Sequence, residues 1–236
     1  MRTPSDSAPR PPRLLVSVRD ADEAVLACEA GADLVDAKDP ERGALGALPP
    51  GHVKAICERI AGRCATSAVA GEPEGDEALV ARVAAMAGTG VEWVKVALRR
   101  DHDALSRAAS AAPGRLIAVF FAEDGLRDDA LPGLRAAGFV GAMIDTRGKD
   151  GRRLTDHLAP PALSRFVAEC RRQGLLSGLA GSLRVEDIMT LATLDPDYLG
   201  FRGGLCREGD RRGSLDGQRV AEASRALRSL DRRDAA

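Results

Sequence analysis

Two neighbouring stretches decide the fold: Arg13-Leu14-Leu15-Val16-Ser17-Val18-Arg19-Asp20 and Gly31-Ala32-Asp33-Leu34-Val35-Asp36-Ala37-Lys38. Each carries a short apolar run bounded by charge or glycine, the signature of a buried strand. Between them residues 20–30 have helical periodicity. Asp20 stands where an N-cap is needed and Gly31 where the helix should stop. The unit is therefore strand–helix–strand, which demands parallel strands. A doubly wound sheet is the alternative to a barrel. It would put a glycine-rich fingerprint after the first strand, and Val16-Ser17-Val18-Arg19 has none.

Working outward, the unit recurs. Strand-like runs lie near 13–18, 33–38, 64–69, 92–97, 115–120, 139–145, 175–180 and 197–201. Helical stretches lie near 20–30, 50–61, 75–88, 101–111, 124–137, 158–173, 184–193 and 215–230. Pro49-Pro50, Asp101 and Pro160-Pro161 mark further helix starts, and Gly88, Gly138 and Gly174 mark ends. No linker interrupts the series. Eight such units predict a single (β/α)8 barrel of the TIM type, an α/β fold, over residues 13–230. Residues 1–12, rich in Pro, Ser and Arg, read as a disordered N-terminal tail, and 231–236 as a flexible C-terminal tail.

Bulk composition narrows the function. The 236 residues carry a net charge of −1, so no basic field attracts nucleic acid or anionic lipid. Aromatic residues make up 3%, too few for base-stacking platforms. No apolar run approaches membrane-spanning length, and the N-terminus lacks a signal-peptide pattern. The five cysteines, at 28, 57, 64, 170 and 206, show no CxxC spacing and read as free thiols of a cytoplasmic protein. The three histidines lie far apart, so no metal site is expected, and no nucleotide or organic cofactor motif appears. Apolar helix faces leave room for a homo-oligomer without fixing its symmetry.

Lysine is rare here. Of 34 basic residues only Lys38, Lys54, Lys95 and Lys149 are lysine. An amine can lose its proton and attack a carbonyl, which a guanidinium cannot. Lys54 sits in a helical pattern and reads as a solvated charge. The other three follow strand-like runs, where a barrel gathers its chemistry. Asp36 and Lys38 are two apart on one strand and so share a face. Asp145 ends the sixth strand, four residues before Lys149. Lys38, Asp36, Lys95, Asp145 and Lys149 are the candidate catalytic groups, with Asp36 expected to orient Lys38. A salt-bridge network that merely fills the barrel is the competing reading.

The last two βα loops suggest a second task. Gly181-Ser182 and Arg202-Gly203-Gly204 offer small residues whose backbone N–H groups can approach an anion, as loops after strands 7 and 8 of barrels commonly do. With Ser17 after strand 1, they are the candidate phosphate-binding residues: Ser17, Gly181, Ser182, Arg202, Gly203 and Gly204. Amines beside a phosphate site point to a phosphorylated aldehyde or ketone.

The residues also resemble a known family. Leu14–Val18, Gly31–Pro40 and Gly43–Gly46 are similar to the opening of the (5-formylfuran-3-yl)methyl phosphate synthases. The similarity continues through Val94-Lys95-Val96, Met143–Thr146 with Lys149-Asp150-Gly151, Leu179–Ser182, Arg202-Gly203-Gly204, Cys206 and Gly209-Asp210-Arg211. The resemblance implies a carbon–oxygen lyase of methanofuran biosynthesis. Such an enzyme condenses two molecules of glyceraldehyde 3-phosphate to 4-(hydroxymethyl)-2-furancarboxaldehyde phosphate, losing phosphate and water, without a metal or cofactor. It also implies that Lys38 is the Schiff-base lysine, with Asp36, Lys95, Asp145 and Lys149 beside it. The reaction expected from it is attack of a Lys38-bound enamine on the aldehyde of a second triose phosphate. The chain departs from the archaeal pattern in its Arg-rich tail and in Ala37 and Asp39 flanking Lys38. Another Schiff-base aldolase and a non-catalytic sugar-phosphate-binding protein are the rival readings.

Overall fold

The computed structural model describes residues 11–98, 102–148 and 151–231. The strands are β1 (Arg13–Val18), β2 (Leu34–Ala37), β3 (Ala65–Val69), β4 (Trp93–Ala97), β5 (Leu116–Phe121), β6 (Gly141–Asp145), β7 (Leu176–Leu179) and β8 (Tyr198–Phe201). All are parallel. Each pairs with its neighbour in sequence and β8 returns to β1, closing the barrel. Around it run α1 (Ala21–Glu29), α2 (Pro50–Ile60), α3 (Asp76–Ala87), α4 (His102–Ala111), α5 (Leu131–Ala136), α6 (Leu154–His157), α7 (Pro160–Arg172), α8 (Ile188–Ala192) and α9 (Gly217–Asp231). Among the described residues no helix is long and apolar enough to cross a membrane.

Local chemistry accounts for most boundaries. The Asp20 carboxylate accepts from the Glu23 N–H at 2.8 Å and starts α1. Gly31, with φ of +100°, ends it in a conformation that side chains resist. Two expected helices are broken. The stretch at 124–137 becomes short 3-10 turns, interrupted at Gly125, before α5. The stretch at 184–193 opens with a 3-10 turn, Val185–Asp187, before α8. The short α6 adds a turn of helix ahead of the stretch at 158–173. Tail residues 1–10 and 232–236 lie outside the described residues.

The period of two along each strand divides the core. Leu14, Val16, Val35, Val94 and Leu116 face outward and pack under the helices. The alternate residues fill the barrel in layers. Leu15, Leu34 and Tyr198, with Trp93 against them, plug one end. Val69, Ile117, Val119 and Met143 form an apolar band inside. At this level the filling turns polar: Ser17, Asp36 and Ser67 lie side by side in register across β1, β2 and β3. The apolar plug below shuts out water on one side, so whatever these groups bind enters from the strand C-termini.

The cysteines correct the reading of five free thiols. Cys28, near the end of α1, is disulfide-bonded to Cys64 just before β3, with their Cα atoms 6.0 Å apart. Cys57, Cys170 and Cys206 are free. Spacing alone could not reveal the pair, because the partners are 36 positions apart in sequence and meet only when β2 and β3 pair and α1 packs on α2. The bonded pair also removes the thiol argument for a cytoplasmic setting.

Candidate active site

At the C-terminal ends of the strands opens a cavity of about 830 Å³, lined by Asp36, Lys38, Lys95 and Asp145 among others. The two lysines face it from different depths. Lys95, on β4, lies deep inside, its Nζ 3.0 Å from Asp36 Oδ1, with both side chains 3% exposed. Lys38 follows β2 and is tethered by its own N–H to the Val18 carbonyl. Its Nζ donates to Asp145 Oδ2 at 3.0 Å, and those side chains are 13% and 14% exposed. The pairing therefore overturns the expectation that Asp36 orients Lys38. Residues two apart on a strand point the same way side by side, whereas long side chains reach across the barrel to other strands. Lys95 reaches β2 over the small Ser67, and Lys38 reaches the end of β6.

Asp36 is held by more than its lysine. Ser67 donates its hydroxyl to Asp36 Oδ1 at 2.6 Å, and Ser17 donates to Oδ2 at 3.4 Å. Burial alone would raise the Asp36 carboxyl, but the Lys95 and Lys38 charges and the Ser67 hydrogen bond outweigh it, so its pKa lies below the ordinary 3.8. Burial pushes the Lys95 amine below its ordinary range, with Asp36 opposing and Lys38 adding to the push. The result is a buried carboxylate–amine pair beneath a more exposed one.

The phosphate candidates divide. Gly181, Ser182, Gly203 and Gly204 all line the cavity. No acceptor among the described residues takes the N–H of Ser182, Gly203 or Gly204. Gly181 has φ of +114°, and a Cβ there would lie 2.7 Å from Thr146 Cγ2. A Cβ on Gly204 would collide with the Leu183 carbonyl oxygen. Gly181 lets the β7 loop close on the start of the β6 loop, and Gly204 lets the β8 loop close on the β7 loop, so that their amides form a cup. Ser17 and Arg202 have other work. Ser17 spends its hydroxyl on Asp36. Arg202 spends every N–H inside the protein: on both Glu23 oxygens and on the carbonyls of Ser17, Arg211 and Gly213. It pins the loop after β8 to α1 and leaves no donor for a phosphate.

Two groups at the site were not among the candidates. Ser67 lies in the third strand-like run, and its value appears only when β2 and β3 pair and set it beside Asp36. Arg211, part of the family-like segment Gly209-Asp210-Arg211, lines the same cavity as Lys38 and Asp145. The loop after β6 is held from outside, since Glu123 accepts the N–H groups of Arg147 and Gly148 at 2.8 and 2.7 Å. Burial alone would raise Glu123, and those two amides bring it below its ordinary value. Lys149, one residue further on, lies outside the described residues. Among the described residues no three His, Cys, Asp or Glu side chains converge as a metal site would require.

Fold and cavity together define a (β/α)8 barrel with a lysine–carboxylate mouth beside an amide cup. Solved structures agree on the fold. Phosphoribosyl anthranilate isomerase from Thermus thermophilus superposes with a TM-score of 0.69 at 15% identity, covering 92% of this chain and 99% of its own. KGPDC from Streptococcus mutans gives 0.67 at 12% identity, covering 94% and 99%. The sequence is more specific. The model of the 4-HFC-P synthase family matches residues 14–224. A protein of Methylorubrum extorquens, provisionally named (5-formylfuran-3-yl)methyl phosphate synthase, is 61% identical over 226 residues, 95% of each chain. The (5-formylfuran-3-yl)methyl phosphate synthase of Methanopyrus kandleri is 36% identical over 234 residues, covering 92% of this chain and 99% of its own. The chain belongs to the 4-HFC-P synthase family.

Proposed function

We propose that the chain is a carbon–oxygen lyase that condenses two glyceraldehyde 3-phosphate molecules through a Schiff base on Lys38. The product is 4-(hydroxymethyl)-2-furancarboxaldehyde phosphate, supplied to a methanofuran-type one-carbon carrier in the cytoplasm. The observation that carries this reading is the pair of Asp–Lys contacts at two depths in one cavity, with the amide cup beside them. Lys38 is the more open amine, so a carbonyl can reach it. Asp145, 3.0 Å away, can take and return protons.

The product's skeleton corrects the enamine-on-aldehyde reaction. That step would join two terminal carbons into an unbranched chain, whereas a 2,4-substituted furan is branched. The branch requires a bond from the phosphate-bearing carbon of one triose to the ketone carbon of the other. Lys38 therefore forms an iminium with the aldehyde of one triose phosphate. Asp145 removes the proton on the adjacent carbon, and the resulting enamine expels phosphate from the next carbon. The enol so formed attacks through its terminal CH2 on the ketone of the second triose, already isomerised. Ring closure by that triose's hydroxyl and loss of two waters give the furan. Atoms balance with no oxidant: two triose phosphates become one furan phosphate, one phosphate and two waters. Deep in the site, the Lys95–Asp36 pair supports the reading as a fixed charge partner for Lys38, which keeps its amine from being surrounded by carboxylates alone.

The test is incubation with glyceraldehyde 3-phosphate, borohydride trapping and mass analysis of peptides, alongside furan absorbance. A furan phosphate with an adduct on Lys38 is the expected result. An adduct without furan would make the chain a different Schiff-base aldolase. Tight sugar-phosphate binding with neither signal would make it a binding protein.

A further inference from the structure

Arg211 lines the cavity, and among the described residues no ion pair answers its charge. It is half-buried, and its Nε is sealed from solvent with no hydrogen-bond partner. Its Nη2 donates to the Gly43 carbonyl at 2.8 Å, which draws the side chain from the loop after β8 across to the loop after β2. No carboxylate among the described residues lies in ion-pair contact with it. Buried N–H groups are nearly always bonded, so the orphaned Nε marks a guanidinium whose hydrogen bonding the protein leaves incomplete. Around it, Lys38 is matched by Asp145, Lys95 by Asp36 and Arg202 by Glu23. Arg211, like Arg184 and Arg219 on the same wall, has no such match among the described residues, and of the three it alone also keeps a buried N–H without an acceptor. Burial pulls the Arg211 guanidinium below its ordinary range, and Asp145 is the main charge opposing that shift.

The backbone of Arg211 also abuts the amide cup. A Cβ built on Gly203 would lie 3.6 Å from Arg211 Cβ. One anion site made of neutral amides and one made of a guanidinium thus share a single cavity. They differ in charge: the amides are neutral dipoles, whereas the guanidinium brings a full positive charge, which suits the place where negative charge accumulates as a phosphate leaves.

We propose that Arg211 is a second anion receptor, which takes the phosphate that leaves the Lys38-bound triose while the amide cup holds the phosphate that stays. The identity of that anion rests on the function proposed above; the presence of a second anion site does not. In the step concerned, the carbon–oxygen bond to phosphate breaks and its electron pair goes to the phosphate oxygen. The pair is replaced by the electrons of the C–H bond that Asp145 cleaves, relayed through the Lys38 enamine.

The experiment uses inorganic phosphate first. Calorimetric titration of the full chain should give two phosphates per wild-type chain and one for Arg211→Gln, with the remaining site changed by about twofold or less. Arg211→Lys should keep a weakened second site. With glyceraldehyde 3-phosphate, Arg211→Gln should still yield the borohydride-trapped Lys38 adduct. Its phosphate release should fall by about a hundredfold or more, and added guanidinium ion should restore part of it. Wild-type stoichiometry of one, or unchanged phosphate release in Arg211→Gln, would overturn the proposal. So would a loss of both sites together with thermal stability and no rescue, because Arg211 would then only tie two loops. If wild type forms no Lys38 adduct, the proposed function falls, yet the phosphate stoichiometry still decides Arg211.

Discussion

Burial sets the two cavity amines apart. Lys95 and Asp36 form a pair removed from water, so each depends on the other to be tolerable inside. Lys38 and Asp145 keep some solvent contact, which lets a substrate enter between them. Lys38→Arg preserves the ion pair but not the nucleophile. We expect it to fold with wild-type stability and to lose furan formation below detection in an absorbance assay; measurable turnover would remove the Schiff base from the mechanism. Asp36 makes a pH prediction. Its folded pKa lies below 3.8, so its stabilisation is present above that value and is lost as pH falls through the lower folded one. Thermal midpoints measured between pH 6 and pH 2 should therefore fall with acid in wild type. They should fall less steeply in Asp36→Asn, which starts less stable because Lys95 loses its charge partner.

The elements that matter most are the β7 and β8 loops, which share one constraint: they touch. Gly204 has no room for a Cβ against the Leu183 carbonyl. Gly204→Ala should force the loops apart and cost about 1–3 kcal/mol, the usual penalty for an atom with no space. Urea unfolding would measure the loss, and inorganic phosphate affinity should fall with it. An alanine variant with unchanged phosphate binding would show that the amide cup is not the anion site. Arg202 illustrates how an element can reassign a residue. Read in the chain it is a cation beside two glycines, which suits a phosphate. Packed against α1 it meets Glu23, which is 7% exposed and needs a charge partner. The buried carboxylate takes the guanidinium, and the phosphate is left to backbone amides.

At the scale of the whole molecule, the packing of one βα unit on the next creates contacts that no local pattern announces. The Cys28–Cys64 bond is one. Thiol titration of the unfolded protein should find three free groups before reduction and five after; five before reduction would exclude the bond. Strand positions and the fold class were legible because period-two burial and βα alternation are written residue by residue. The candidate lysines and carboxylates were legible because strand C-termini face the mouth of any barrel. Their partners were not. Asp36 and Lys38 are neighbours in sequence, yet each pairs with a residue from another strand, β4 for Asp36 and β6 for Lys38. The value of Ser67, the duty of Arg202 and the orphaned Nε of Arg211 were hidden for the same reason. The sequence by itself determined which residues reach the cavity, because side-chain direction follows from position along a strand. Only the tertiary structure decided which charges meet there, because ion pairs and hydrogen bonds depend on distances across the barrel, set when eight strands close around one axis.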